Sequence, residues 1–355
     1  MNPFHSFIGL CMLALFSFCS TKADSEPARS VEIHDKSIIH SIGKTAVQEK
    51  TELRKKETKK KKEKQPIVIQ IEKELLYDEH TLGDHYKYGK TPREFQWEKI
   101  RKRLKLLESF QDKRYLWGIL RNYKNLNGEA PVVKSIHRNE YGRISDSLGV
   151  ERYQGIPLYE LSDTLKPVLY GRDGNYVRVL CNKEGSKFMQ VETVYPEMKK
   201  WLVPHRYIKT IGDTIRFEKA IFVDRHNQNI ATLEKSGDKW LVRSMNPATT
   251  GRFRPPYAQL TPLGLFALQE KKSKMVYLKD GSSEKGGFAP YANRFTSGAY
   301  IHGVPVPAPG TKMIEYSYSL GTTPRSHMCV RNATSHSKFI YNWGSINKTV
   351  VFVLE

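Results

Sequence analysis

From residue 151 onward the chain is written as short β-prone runs separated by turn signals, and that patterning narrows the available folds more than any other feature. Tyr176-Val-Arg-Val-Leu180 and Phe188-Met-Gln-Val-Glu192 come first, set off by Gly171-Arg-Asp-Gly174 and Asn182-Lys-Glu-Gly185. Ala220-Ile-Phe-Val-Asp224, Lys239-Trp-Leu-Val-Arg243, Met275-Val-Tyr-Leu278 and Val350-Val-Phe-Val-Leu354 continue the pattern. β-Branched and aromatic residues in runs of this length suit a pleated, packed surface, and the Gly/Asp/Asn clusters turn the chain between them. The prediction is a mainly β protein. Its 355 residues suffice for two or three domains, and 39% apolar content excludes whole-chain disorder. Four Cys with no C-x-x-C pair exclude a disulfide-dense scaffold and a zinc knuckle.

The beginning of the chain has a different character. Phe7 to Phe18 is an apolar run of twelve, too short for the ~20 residues of a membrane span but of signal-peptide length. Residues 1–20 are therefore expected to be an export signal. Cys19 stands where bacterial lipoproteins are cleaved and lipidated; cleavage after Ala23 is the competing soluble outcome. Residues 21–66 read as a solvated tether, since Lys50 to Lys64 holds nine basic and three acidic residues. Anionic envelope polymers or lipid headgroups are the partners such a run would attract. The whole chain, with 58 Lys+Arg against 37 Asp+Glu, carries +21. Export argues against nucleic acid as the reason for that charge.

Residues 67–150 read as a small α/β region. Ile67 to Glu72 alternates as a strand does, and Trp97, Ile100, Leu104 and Leu107 recur at helical spacing. Thr91, Pro92 and Glu94 match an N-cap, a first helical position and a capping box, which predicts a helix starting at Pro92. Residues 151–212 resemble a bacterial SH3-like domain in strand spacing and in the closing Lys200-Trp-Leu-Val-Pro-His-Arg-Tyr-Ile-Lys209. Such a barrel would serve as a wall-docking module or a spacer. Cys181, at a strand end, is expected to be a buried thiol.

The chemistry lies in residues 213–355. His302-Gly303 and Ser326-His327-Met328-Cys329-Val330-Arg331 place two imidazoles and a guanidinium close in sequence to one thiol. A neighbouring cation lowers a thiol pKa, and His passes protons between nucleophile and leaving group. Backbone N–H groups around Met328 and Cys329 offer an oxyanion site. An inert core Cys with surface His residues is the bland alternative. Zinc held by His302, His327 and Cys329 is the other, although His-x-Cys is not a usual zinc spacing.

Here the order of motifs resembles the L,D-transpeptidase (YkuD-type) catalytic domain. His302-Gly303 followed by Ser326-His327-x-Cys329-Val330-Arg331 matches its signature. Thr261-Pro262-Leu263-Gly264-Leu265-Phe266 and Thr250-Gly251 match upstream elements, so about 140 residues are covered. The resemblance implies a β-sandwich catalytic domain that needs no cofactor or metal. It implies Cys329 as nucleophile and His302 as general base/acid, with the second ring nitrogen of His302 oriented by the Gly303 carbonyl. His327, Arg331 and Ser326 would shape the pocket, and the N–H groups of Met328 and Cys329 would form the oxyanion hole. The implied substrates are peptidoglycan stems, which release D-Ala and leave a thioester for an amine (3→3 cross-link) or for water. L,D-carboxypeptidase or hydrolase action and a non-catalytic wall-binding role are the alternatives, and a monomer is expected. Two departures stand out. Met328 occupies a position where the family has Gly, and an insertion from Thr311 to Thr323 brings in Tyr316 and Tyr318. Residues 215–355 hold 19 Lys+Arg and 9 Asp+Glu, net +10, which suits a carboxylate-bearing polymer.

Overall fold

In the computed structural model, residues 67–111, 113–131, 136–146 and 152–355 are described. The expected export signal, Cys19 and the expected tether of residues 21–66 lie outside them. The described residues form one packing unit.

Two apolar faces on single strands organise the C-terminal half. In Lys219–Asp224, Ala220 and Phe222 point into one core while Ile221 and Val223 point into another. Thr349–Leu354 divides in the same way, with Val350, Phe352 and Leu354 on one side and Val351 and Val353 on the other. Strands buried on both faces read as unbroken apolar runs, which is why these segments lack polar alternation. They occupy the centre of a six-stranded sheet. Its order is Gln70–Lys73, Lys239–Pro247, Asn229–Ser236, Lys219–Asp224, Thr349–Leu354 and Gly264–Ala267.

Helix α1 (Trp97–Gln111) covers the first face with Ile100, Leu104, Leu107 and Phe110, packed with Trp240 and Phe222. The second face meets a sheet ordered Glu270–Leu278, Lys285–Thr296, Ala299–His302 and Val330–Arg331, together with helix α2 (Thr334–Trp343). The described residues are mainly β, as the patterning predicted.

The apolar spacing placed α1 correctly but its start was misread. Thr91–Glu94 is a strand paired with His85–Tyr88, and the helix begins at Trp97. Gly89 at φ 59° makes the hairpin turn between those strands. Glu94 is held there by the Asn227 side chain and Arg93 by the carbonyls of Gly321 and Thr322, so tertiary contacts override the local capping pattern.

A third, five-stranded sheet runs Lys200–Pro204, Phe188–Thr193, Tyr176–Cys181, Leu116–Leu120, Ile208–Gly212. Its fourth strand comes from before residue 151, so a sequence boundary at 150/151 does not coincide with a packing boundary. The 67–150 segment is shared out likewise. Gln70–Lys73 lies parallel to Lys239–Val242 on the edge of the six-stranded sheet, and α1 seals that sheet's face. Cys181 is half-buried rather than buried.

Candidate active site

Parallel pairing of Ala299–His302 with Val330–Arg331 sets His302 against Arg331 and brings Cys329 to the same sheet end. A cavity of about 400 Å³ opens there, lined by Cys329, His302, Ser326, His327 and Arg331. Five residues singled out in the sequence thus share one cavity.

His302 is 4% exposed, and its Nδ1 donates to the Gly303 carbonyl at 2.7 Å, the tautomer that keeps the proton on Nδ1 and leaves the Nε2 lone pair available. Gly303 has no room for a side chain, because a Cβ would come within 2.7 Å of Thr334 Oγ1 and 2.9 Å of Pro290 Cγ. Burial pulls His302 down to about 4; the Gly303 carbonyl opposes this and the Arg331 charge adds to it. Burial pushes the Cys329 thiol up, against the Tyr300 backbone and the Arg331 charge, both of which favour the thiolate. The resting pair is therefore a thiol and a neutral imidazole. Cys329 Sγ faces the Gly298 carbonyl at 3.6 Å.

The segment from Ser326 to Cys329 is tied from below. Thr261 Oγ1 donates to the Met328 carbonyl at 2.8 Å and accepts the Gly251 N–H at 2.8 Å. The Gln259 N–H bonds the His327 carbonyl at 2.8 Å, and the Ser326 hydroxyl bonds the Cys329 carbonyl. Thr249 and Arg331 exchange both backbone bonds at 2.9 Å. The Thr261 and Thr250-Gly251 elements are thus a clamp beneath Cys329.

His327 is exposed and bonded through Nε2 to Asp280 at 2.8 Å, on the turn that follows Glu270–Leu278. Both residues of this pair line the cavity. Met328 does not line this cavity; it lines a neighbouring one with Gln259 and Ser297, and its sulfur accepts from Gln259 Nε2 at 3.2 Å. It is absent from the non-glycine residues with positive φ, so no glycine conformation is required at that position. Among the described residues, one group of metal-type ligands converges, Glu79, His80 and Glu315, and none of them lines the Cys329 cavity.

Residue patterns did not reveal Tyr123 and Lys124, which reach the cavity from the turn after Leu116–Leu120. Nor did they reveal Asp173, read only as part of a turn. Its Oδ1 accepts the N–H groups of Asn122 and Tyr123 at 3.0 and 3.1 Å. Its Oδ2 accepts Arg294 Nη1 at 2.7 Å, Gln269 Nε2 at 2.8 Å and the Ser297 N–H at 2.9 Å.

Comparison with known proteins matches the segment that carries this cavity to a family. Residues 218–353 match the sequence model of the L,D-transpeptidase catalytic domain, YkuD. An L,D-transpeptidase from Mycobacterium smegmatis is 18% identical, with 50% of this chain and 82% of that one covered at a TM-score of 0.32. One from Mycobacterium tuberculosis is 18% identical, with 52% and 92% covered at a TM-score of 0.31. A fused zinc-dependent amidase/peptidase/peptidoglycan-binding-domain protein from Clostridium acetobutylicum is 15% identical at a TM-score of 0.27; 38% of this chain aligns with it, spanning about half (51%) of its length. No curated protein sequence matches the chain. The segment 218–353, which contains His302, Cys329 and the Thr261 clamp, is an L,D-transpeptidase catalytic domain of the YkuD family.

Proposed function

We propose that the chain is a cysteine-dependent L,D-transpeptidase of the cell envelope that acts on peptidoglycan stem peptides. One observation carries this reading: Cys329 shares a cavity with His302, whose Nδ1 is fixed to the Gly303 carbonyl. A neutral imidazole oriented in that way is a base waiting for a proton.

In the reaction, the Cys329 S–H gives its proton to His302 Nε2 as sulfur bonds to the carbonyl carbon after the L-centre of the stem's diamino acid. The tetrahedral oxyanion is held by N–H groups around Met328 and Cys329. Collapse breaks the C–N bond, His302 returns the proton to the departing D-Ala amine, and a thioester remains. An acceptor amine then attacks the thioester and loses a proton to His302. The Cys329 thiolate leaves and is reprotonated, which gives the 3→3 cross-link.

A second cavity favours an amine acceptor over water. It meets the first at Tyr277, Pro305 and Arg331 and is lined by Tyr316 and Tyr318 of the insertion, which leaves room for a second stem. Export belongs to the same reading, with Cys19 as lipidation site or with cleavage after Ala23. The five-stranded sheet is then an SH3-like companion module.

The test is incubation of the chain with a disaccharide-tetrapeptide muropeptide, followed by mass spectrometry against a Cys329→Ala control. A dimer lacking one D-Ala, absent in the control, is expected. Tripeptide alone would move the assignment to L,D-carboxypeptidase. No product and no acyl adduct on Cys329 would favour a wall-binding role.

A further inference from the structure

Lys124 and Asn125 both sit in the left-handed region, at φ 53° and 56°, although neither is glycine. Such backbone persists only where its surroundings over-determine it, and it concentrates at functional sites. The surroundings here are dense. The Lys124 N–H donates to Gln154 Oε1 at 2.9 Å, and the Gln154 N–H donates to Asn125 Oδ1 at 2.6 Å. The buried Asn122 side chain donates to the Gly155 and Gly128 carbonyls at 2.8 and 3.0 Å. The Asn122 and Tyr123 N–H groups end on Asp173, the same carboxylate that holds Ser297. Ser297 precedes Gly298, whose carbonyl faces the Cys329 thiol. One buried carboxylate thus suspends both this turn and the nucleophile's neighbour. Arg294 Cζ sits over the Tyr123 ring, 4.4 Å from its centroid.

All of this bonding presents one side chain. Lys124 is exposed on the wall of the Cys329 cavity, which Lys272 also lines. Lys272 shares Glu270 at 3.4 Å with Arg294, and Asp280, the acid on this wall, is engaged by His327. With Arg331 added, the lining is cationic, and it faces a site already read as binding a peptide.

We propose that Lys124, presented by the turn Tyr123–Asn125 into the cavity that Lys272 also lines, is the counter-ion for a free carboxylate of the acyl-donor peptide. The five-stranded sheet then completes the substrate site of the catalytic domain instead of acting only as a spacer. This inference rests on the reading of the Cys329 cavity as the stem-peptide site.

The test is calorimetric binding to the full chain carrying Cys329→Ala, which binds without turnover. Two probes are compared, a disaccharide-tetrapeptide with free carboxylates and the same molecule with its carboxylates amidated. Each is titrated with and without Lys124→Glu, and an unchanged melting temperature verifies the fold of the double variant. Loss of a charge-assisted contact is expected to weaken the free-carboxylate probe about ten- to a hundredfold and to leave the amidated probe unchanged. Equal weakening of both probes, or none, overturns the proposal. Binding of both probes at equal affinity without Lys124→Glu removes the carboxylate site and leaves the peptide reading standing. Binding of neither removes that reading and the inference with it.

Discussion

Asp173 Oδ2 accepts Arg294 Nη1 at 2.7 Å, and the two side chains are 0% and 2% exposed. The acid belongs to the turn between two strands outside the matched family segment; the guanidinium belongs to the sheet that carries His302. Removing one partner of such a pair leaves an uncompensated buried charge. Asp173→Ala is therefore expected to cost about 3–5 kcal/mol of stability in guanidinium unfolding of the full chain. A loss below about 1 kcal/mol would show that Glu270, 3.2 Å from Arg294 Nε, suffices as counter-ion.

That pair also shows where sequence reading stops. Asp173 and Arg294 lie 121 positions apart, and Gly171-Arg-Asp-Gly174 carries every mark of a solvated turn. Gly174, at φ 91°, does turn the chain, but against the Phe295 carbonyl, which a Cβ there would approach to 2.1 Å. The turn chemistry was legible and its burial was not. The central strands were legible because two apolar faces leave an uninterrupted run, and the cavity residues were legible through motif order. The start of α1 was hidden because Thr91–Glu94 satisfies a local capping pattern while Asn227, Gly321 and Thr322, far away in sequence, hold it as a strand. Lys124 carries no sequence mark at all, since only its backbone, held by Gln154 and by the Asp173 anchor of Tyr123, reveals it.

Thr261 is fully buried and its hydroxyl joins Gly251 to Met328. Thr261→Val keeps the shape and orphans a backbone N–H and a carbonyl, at about 1–3 kcal/mol each. Acylation of Cys329, followed by mass spectrometry, is expected to slow with the loosened loop, and Thr261→Ser is expected to restore both rate and stability. Wild-type behaviour of the valine variant would remove the clamp from the account.

Met328 needs no glycine backbone and faces away from the Cys329 cavity. Met328→Ala is therefore expected to cost about 1–2 kcal/mol in packing while the acylation rate stays within about threefold of wild type. A much larger drop in rate with the fold intact would mean that this side chain shapes the oxyanion site.

The two histidines are predicted to separate in their effect. His302 is buried with its tautomer fixed, so His302→Ala should slow acylation by about 10²–10⁴-fold. His327 is half exposed in a solvent-screened pair with Asp280, so His327→Ala should cost less than about tenfold. Single-turnover acylation rates decide, and equal losses would place His327 in the proton path.

The same burial fixes the direction of the pH response. His302 is held down to about 4 and His336, buried behind Ser244 and Asn332, to about 3. Below the ordinary histidine value of about 6.5, the unfolded chain takes up protons that these two refuse in the folded state. Their contribution to stability is complete above about pH 6.5 and shrinks as pH falls toward 4, by about 1.4 kcal/mol per unit for each histidine. Acylation follows a different curve. In the proposed mechanism a neutral His302 takes the proton, so the rate should hold through pH 6.5 and fall only as pH approaches about 4. Burial raises the Cys329 thiol, so no loss of activity through conversion of the resting pair should set in at neutral pH. Rates measured where circular dichroism shows the fold intact test this directly. An acid limb near pH 6.5 would mean that the base in use is not the buried imidazole, and that the proton leaves Cys329 by another route.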